Sequence, residues 1–246
     1  MSKIYFISDL HLGSPNEQES LKREKAFVQW LDMAAQDAEA IYLVGDVFDF
    51  WFEYKRAVPR GFVRALGKIA EITDRGKPVH WFTGNHDMWI FDYLPKECGV
   101  EIHRKPIILN HHEHRCYVGH GDGLGPGDRA YKFMKKFFDS TVCQWLFARL
   151  HPNFGIWLAS SLSGYSRGKA IEKDKVFHGE KEWLFQYCQD LESREHYDYY
   201  IFGHRHLPGT MRLNDSSEYV NLGDWLVHFT YGILDENGFH LENWKV

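Results

Sequence analysis

Short apolar runs recur along this chain, and most of them stop at a small polar block. Residues 4–7 (Ile-Tyr-Phe-Ile) lead into Ser8-Asp9-Leu10-His11, residues 40–44 into Gly45-Asp46, and residues 79–83 into Gly84-Asn85-His86-Asp87. Runs of this length without polar alternation read as strands buried on both faces. Between them the period lengthens. Phe27, Trp30, Leu31 and Ala34 share one face of a helix expected over about 19–38, and a second helix is expected over about 60–75. Three strand–helix units in succession predict a mostly parallel sheet.

Beyond residue 101 the pattern changes to paired strands. Residues 106–109 and 115–118 flank a polar tip, Asn110-His111-His112-Glu113-His114, and the second strand ends in Gly119-His120-Gly121-Asp122. The histidines of that tip are expected to face solvent at a hairpin turn. Residues 198–202 form another apolar run, ending in Gly203-His204-Arg205-His206, and four short strands follow at about 209–213, 218–222, 227–234 and 239–245. These later strands predict a second sheet packed on the first. The expected fold is an α-β-β-α sandwich, two β-sheets flanked by helices.

Residues 125–194 interrupt that scheme with helical stretches rich in Phe and Trp and interspersed with Lys and Arg. The segment lies between two motif-bearing strands, so it is expected to be a helical cap inserted into a core made of 1–124 and 195–246. It carries more aromatics than a thin capping layer needs to bury, which leaves room for an apolar ligand groove.

Composition narrows the classes. A net charge of −5 over 246 residues gives no broad basic footprint and disfavours bulk nucleic-acid binding. Cys98, Cys116, Cys143 and Cys188 show no paired spacing and read as thiols in a reducing compartment. No run approaches the roughly 18 apolar residues of a membrane span, and the N-terminus has no signal-peptide pattern. A cytoplasmic location follows, with peripheral membrane contact left open.

The chemistry lies at the strand ends. In open α/β sheets ligands bind beyond the C-terminal ends of the strands. Asp9-x-His11 alone is a weak signal. Taken together, five strand ends supply Asp9, His11, Asp46, Asn85, His120, His204 and His206. Seven oxygen and nitrogen donors exceed the four of a tetrahedral zinc site, and no thiolate is among them. They suit two octahedral ions bridged by one carboxylate. Mn, Fe, Zn and Mg all fit such donors. His86 stands next to Asn85 as a candidate proton donor or phosphate contact, and Asp122 is expected to steer the His120 imidazole.

These blocks, in this order, resemble the calcineurin-like metallophosphoesterases. The resemblance implies that Asp9, His11, Asp46 and His206 hold one ion, that Asp46, Asn85, His120 and His204 hold the other, and that Asp46 bridges them. It casts Asn85 and His86 as catalytic, with Arg205 at the phosphate. Gly45-Asp46-Val47-Phe48-Asp49-Phe50-Trp51, the Leu124, Asp128 and Tyr131 that follow His120, and Leu222-Gly223-Asp224-Trp225 are similar to the UDP-2,3-diacylglucosamine pyrophosphohydrolase branch of lipid A biosynthesis. That likeness implies attack of water on the α-phosphorus of the UDP-linked lipid, two Mn2+ ions, and work at the cytoplasmic face of the inner membrane. Asp128, Tyr131, Lys169 and Lys173 would contact substrate. Members of that branch carry Arg where this chain has His86. The alternative is a metal-dependent phosphoesterase acting on another nucleotide, phosphomonoester or phosphodiester.

Overall fold

Strand β1 (Lys3–Ile7) is followed by α1 (Glu17–Asp37), β2 (Ala38–Val44), α2 (Val63–Asp74), β3 (Val79–Phe82), α3 (Tyr93–Cys98) and β4 (Glu101–His103). The computed structural model describes residues 2–127, 129–174 and 176–245, without the side chains of 130 and 165–174. Strands β1 to β4 pair in parallel, as the strand–helix alternation predicts. Helix α1 starts at Asn16, whose side chain accepts the Glu19 amide at 3.0 Å. The face expected to be apolar is fully buried at Phe27, Trp30, Leu31 and Ala34. Glu24, also buried on α1, reaches across to accept the Arg64 and Ala65 amides at 2.9 and 3.2 Å, satisfying the open N-terminus of α2.

Strands β5 (Ile107–His111) and β6 (His114–Val118) form an antiparallel hairpin, followed by β7 (Tyr199–Phe202), β8 (Gly209–Arg212), β9 (Glu218–Asn221), β10 (Thr230–Asp235) and β11 (Gly238–Asn243). The second sheet runs β5-β6-β7-β9-β8 and the first β11-β10-β1-β2-β3-β4. The expectation that all the later strands build the second sheet is therefore corrected for two of them. The β10–β11 hairpin returns to the first sheet, with β10 antiparallel to β1 and Ile4 opposite Leu234. The polar tip of the first hairpin is also shorter than expected. His111 is the last residue of β5 and is buried, with the Ser2 carbonyl 3.4 Å from its Nε2.

Strand alternation separates the cores. Ile4, Phe6, Tyr42, Val44 and Phe82 face the second sheet and meet Cys116, Val118, Ile201, Val220 and Leu222. Tyr5, Ile7, Leu43 and Trp81 face the other way, onto α1 and α2. A helix over Trp183–Glu192 covers the outer face of the second sheet through Leu184, Phe185 and Cys188. The layers are thus helix, sheet, sheet, helix. Residues between the motif strands form α4 (Arg129–Phe138), α5 (Thr141–Phe147) and α6 (Pro152–Asp174). Phe147 packs on Phe52 and Trp89, and the Trp89 indole donates to the Phe138 carbonyl at 2.9 Å.

Buried Glu53 organises the short α3. One of its oxygens accepts the Phe91, Asp92 and Tyr93 amides at 2.7, 2.7 and 3.0 Å. Glu53→Ala leaves these donors without their charged acceptor and is expected to cost about 3 kcal/mol, read as a lower urea midpoint.

Candidate metal centre

Strands β1, β2 and β7 turn sharply just past their last residues, and five of the seven donors sit in those turns. Asp9, His11, Asp46, His204 and His206 all have left-handed backbone, with φ of 54°, 45°, 52°, 66° and 55°. For residues other than glycine each such conformation costs roughly 1 kcal/mol or more, and such strain gathers at functional sites. Neighbouring turns brace one another. The Asp9 and His11 amides donate to the Gly45 and Asp46 carbonyls at 3.1 and 2.9 Å, and the Trp225 amide donates to the Asp9 carbonyl at 3.1 Å.

Two of the motif glycines are required by close approach. A Cβ at Gly84 would overlap the Asp46 carboxylate and lie 2.6 Å from its backbone nitrogen. A Cβ at Gly203 would overlap the Ser8 hydroxyl and lie 2.5 Å from Asp9 Oδ2.

The seven predicted donors converge on two adjoining groups. In the first, Asp9 Oδ1 is 3.1 Å from His206 Nε2 and 3.7 Å from His11 Nε2, and the two imidazole nitrogens are 3.2 Å apart. In the second, His120 Nε2 is 3.3 Å from Asp46 Oδ2 and 3.4 Å from Asn85 Oδ1, with a His204 nitrogen close by. Asp46 Oδ2 also lies 3.9 Å from His11 Nε2, which places it between the groups. His120 Nδ1 is 2.8 Å from the Val44 carbonyl, so a proton there leaves the Nε2 lone pair facing Asp46.

These donors fit cations. Asp9 Oδ2 accepts from the Ser8 hydroxyl at 2.5 Å and the His204 amide at 2.8 Å, while Oδ1 is fully buried without a hydrogen-bond partner. Burial by itself would raise the Asp46 pKa, but His120, His86 and His11 outweigh it and hold the carboxyl far below the usual range. Burial likewise opposes the charged form of His120, yet Asp46 and the other acids lift it to about 10. His204, buried and beside His120, is pushed down to about 4. The concentrated negative potential is what divalent ions would meet in place of protons.

Other predicted residues behave differently. His86 Nδ1 is 3.0 Å from the Asp49 carbonyl and 2.8 Å from Ser163 Oγ on α6. Asp87 does not hold that ring. Its carboxylate accepts the Gly84 and Val47 amides at 2.7 and 3.0 Å, and burial followed by the charge of Asp46 raises its pKa to about 7. The His120 ring nitrogens face the Val44 carbonyl, Asp46 and Asn85 rather than Asp122, whose Oδ2 accepts from Tyr131 Oη and Lys135 Nζ on α4 at 2.7 and 2.6 Å. Tyr131 is thereby brought to the site's rim, its ring 6.5 Å from that of His204.

Arg205, expected at the phosphate, has a buried partner of its own. It is buried in a two-pronged pair with Glu182, at 2.9 Å for both contacts, and lies over the Trp183 ring. Asp128 and the side chains of Lys169 and Lys173 lie outside the described residues. Sequence reasoning missed Ser163, which carries no motif, and Ser8 and Asp49, which sat unremarked within motif blocks.

Comparison with known proteins gives the same picture. The family model for calcineurin-like phosphoesterases matches residues 2–208. A UDP-2,3-diacylglucosamine hydrolase of Porphyromonas gingivalis is 39% identical, over 98% of this chain and 97% of its own length. One from a Shewanella species is 27% identical over 98% and 96%. Among solved structures, the E. coli phosphoesterase Yfce aligns over 99% of this chain and 93% of its own at 15% identity and a TM-score of 0.45, a likeness too remote to bear on function. The chain belongs to the calcineurin-like phosphoesterase family and is a metal-dependent hydrolase.

Proposed function

We propose that this protein cleaves the pyrophosphate of UDP-2,3-diacylglucosamine, releasing UMP and the lipid 1-phosphate. The observation that carries this reading is the cap. Phe133, Phe137, Trp145, Phe154, Trp157 and Leu162 are all exposed on α4, α5 and α6, beside a seven-donor polar centre. A soluble phosphomonoester has no use for such a surface, whereas acyl chains do. The hydrolase relatives point to the same substrate. A cavity of about 360 Å3 beside His120 and Gly121 is lined by Arg104, Lys105, Lys132 and Lys136, charges that suit a pyrophosphate.

On this reading Asp9, His11, Asp46 and His206 hold one divalent ion, and Asp46, Asn85, His120 and His204 hold the other, with Mn2+ as the native metal. Bound ions of this kind acidify water and neutralise phosphoryl charge. The protein's own groups do the rest. Asn85 would give its Oδ1 to an ion and keep its amide nitrogen for a phosphoryl oxygen. His86, held at Nδ1, has Nε2 left for the substrate. Tyr131, Asp128, Lys169 and Lys173 contact the substrate from the cap. No helix among the described residues is long and apolar enough to cross a membrane. On this reading the exposed aromatics would dock peripherally on the cytoplasmic face of the inner membrane.

The deciding experiment is hydrolysis of UDP-2,3-diacylglucosamine in detergent with Mn2+, following UMP. Release of UMP well above the turnover of p-nitrophenyl phosphates supports the proposal. No UMP alongside turnover of small esters transfers the reading to a phosphoesterase with a soluble substrate. Trp157→Asp is expected to raise KM for the lipid about tenfold, from the lost apolar contact, without changing hydrolysis of a small diester. His86→Ala is expected to lower kcat/KM about 100-fold. A loss concentrated in poor leaving groups makes His86 a proton donor, and an equal loss across leaving groups makes it a phosphate contact.

A further inference from the structure

Among the described residues, another group of metal-ligating side chains lies away from the hydrolytic centre, at the β4 edge of the first sheet. Parallel pairing sets His80 opposite Glu101 and Phe82 opposite His103, so His80, Glu101 and His103 leave the same face. His80 Nδ1 is 3.0 Å from His103 Nε2 and 3.4 Å from Glu101 Oε2, and His103 Nε2 is 3.7 Å from Glu101 Oε1. One donor atom from each lies within 4.8 Å of the other two. A tetrahedral zinc with bonds of 2.0–2.1 Å spaces its donors about 3.3 Å apart, which the group already approaches.

The two rings are held in place before any ion arrives. His80 stacks on Tyr42 at 4.4 Å and 18°, and His103 lies on Phe82 at 4.9 Å and 35°. Both imidazoles are mostly shielded, with side-chain exposures of 16% and 12%, whereas Glu101 at 66% opens the group to solvent. An ion can therefore enter from water and keep a water as its fourth ligand. Burial lowers the pKa of both histidines, which keeps ligating lone pairs available at neutral pH.

We propose that His80, Glu101 and His103 form a third metal site, selective for zinc or a similar borderline divalent ion, that clips the edge strand β4 to β3. β4 has three residues and pairs only with β3 in its sheet. The chain that leaves it, Arg104 and Lys105, forms a wall of the basic cavity beside His120. A metal clip would fix that wall without taking part in hydrolysis.

The test compares wild type, His103→Ala and Glu101→Gln after dialysis against micromolar Zn2+, with metal content measured by elemental analysis. Wild type is expected to hold one more zinc per chain than His103→Ala. The same difference of one should persist when all three proteins also carry Asp46→Asn, which separates it from the hydrolytic centre. Glu101→Gln should weaken the extra zinc at least about tenfold, since even groups one bond removed from a ligand have that effect. Substitution with Co2+ adds a visible absorption band of a tetrahedral N/O site, present in wild type and absent in His103→Ala. Equal zinc content in wild type and both folded variants overturns the proposal. Should His103→Ala fail to fold, Glu101→Gln, whose side chain is exposed, decides by itself: unchanged zinc affinity overturns the site and weakened affinity supports it.

Discussion

Asp46→Asn is expected to lower turnover by roughly four orders of magnitude, equivalent to about 5.5 kcal/mol of transition-state stabilisation, while the protein stays folded. Asp46 belongs to the donor group of His120 and His204, and its Oδ2 lies 3.3 Å from His120 and 3.9 Å from His11 of the neighbouring group. Asparagine fits the same space and can still accept the His86 amide, which now reaches Asp46 Oδ1 at 2.8 Å. What it lacks is the negative charge that two ions would share. Metal content should fall from two ions per chain at this centre to one or fewer, with an unchanged circular dichroism spectrum. An Asp46→Asn protein that keeps both ions and full turnover would rule out the bridging role.

Arg205→Ala is expected to destabilise the fold by about 3–5 kcal/mol, because it leaves Glu182 charged and buried without its partner. The two side chains are 5% and 3% exposed and meet at 2.9 Å. Removing both charges, as in Glu182→Gln with Arg205→Met, should recover most of the loss, measured by urea unfolding. A phosphate-binding Arg205 predicts the opposite pattern, with stability kept and KM raised. The pair also gives a pH signature. Burial raises the Glu182 pKa, but the Arg205 hydrogen bonds outweigh it and leave the carboxyl below its ordinary value. A carboxyl with a depressed folded pKa stabilises fully above its unfolded value of about 4.3, and that contribution fades as pH falls through the folded value. Wild type should therefore lose more stability than the double variant over that acid range.

The seven donors were readable because each follows a buried strand, and several stand beside a glycine that close packing requires. The Gly84 and Gly203 contacts give the physical reason for that spacing. The buried pairing of Arg205 was not legible. Arg205 stands between two donors, and its partner Glu182 is 23 positions away, in a stretch with no pattern of its own. Ser163 was invisible because one serine on a helix carries no signal until the fold brings it to His86. The return of β10 and β11 to the first sheet was equally hidden. A strand with one buried face has the same alternation whichever sheet it joins, and only the pairing with β1 settles the choice. Helix α3 escaped because it is six residues long and contains a proline.

The strained turns also set when the centre can exist during synthesis. Its donors span residues 9 to 206, and the last two, His204 and His206, follow β7, which pairs with β6 and β9. A nascent chain that has released only the first four strands presents Asp9, His11, Asp46 and Asn85 but none of the three later histidines. The full donor set forms only after residue 206 has left the ribosome and β7 has docked on β6. Complete metal loading would thus follow translation of most of the chain, and a ribosome stalled before β7 would hold a protein with five of the seven donors.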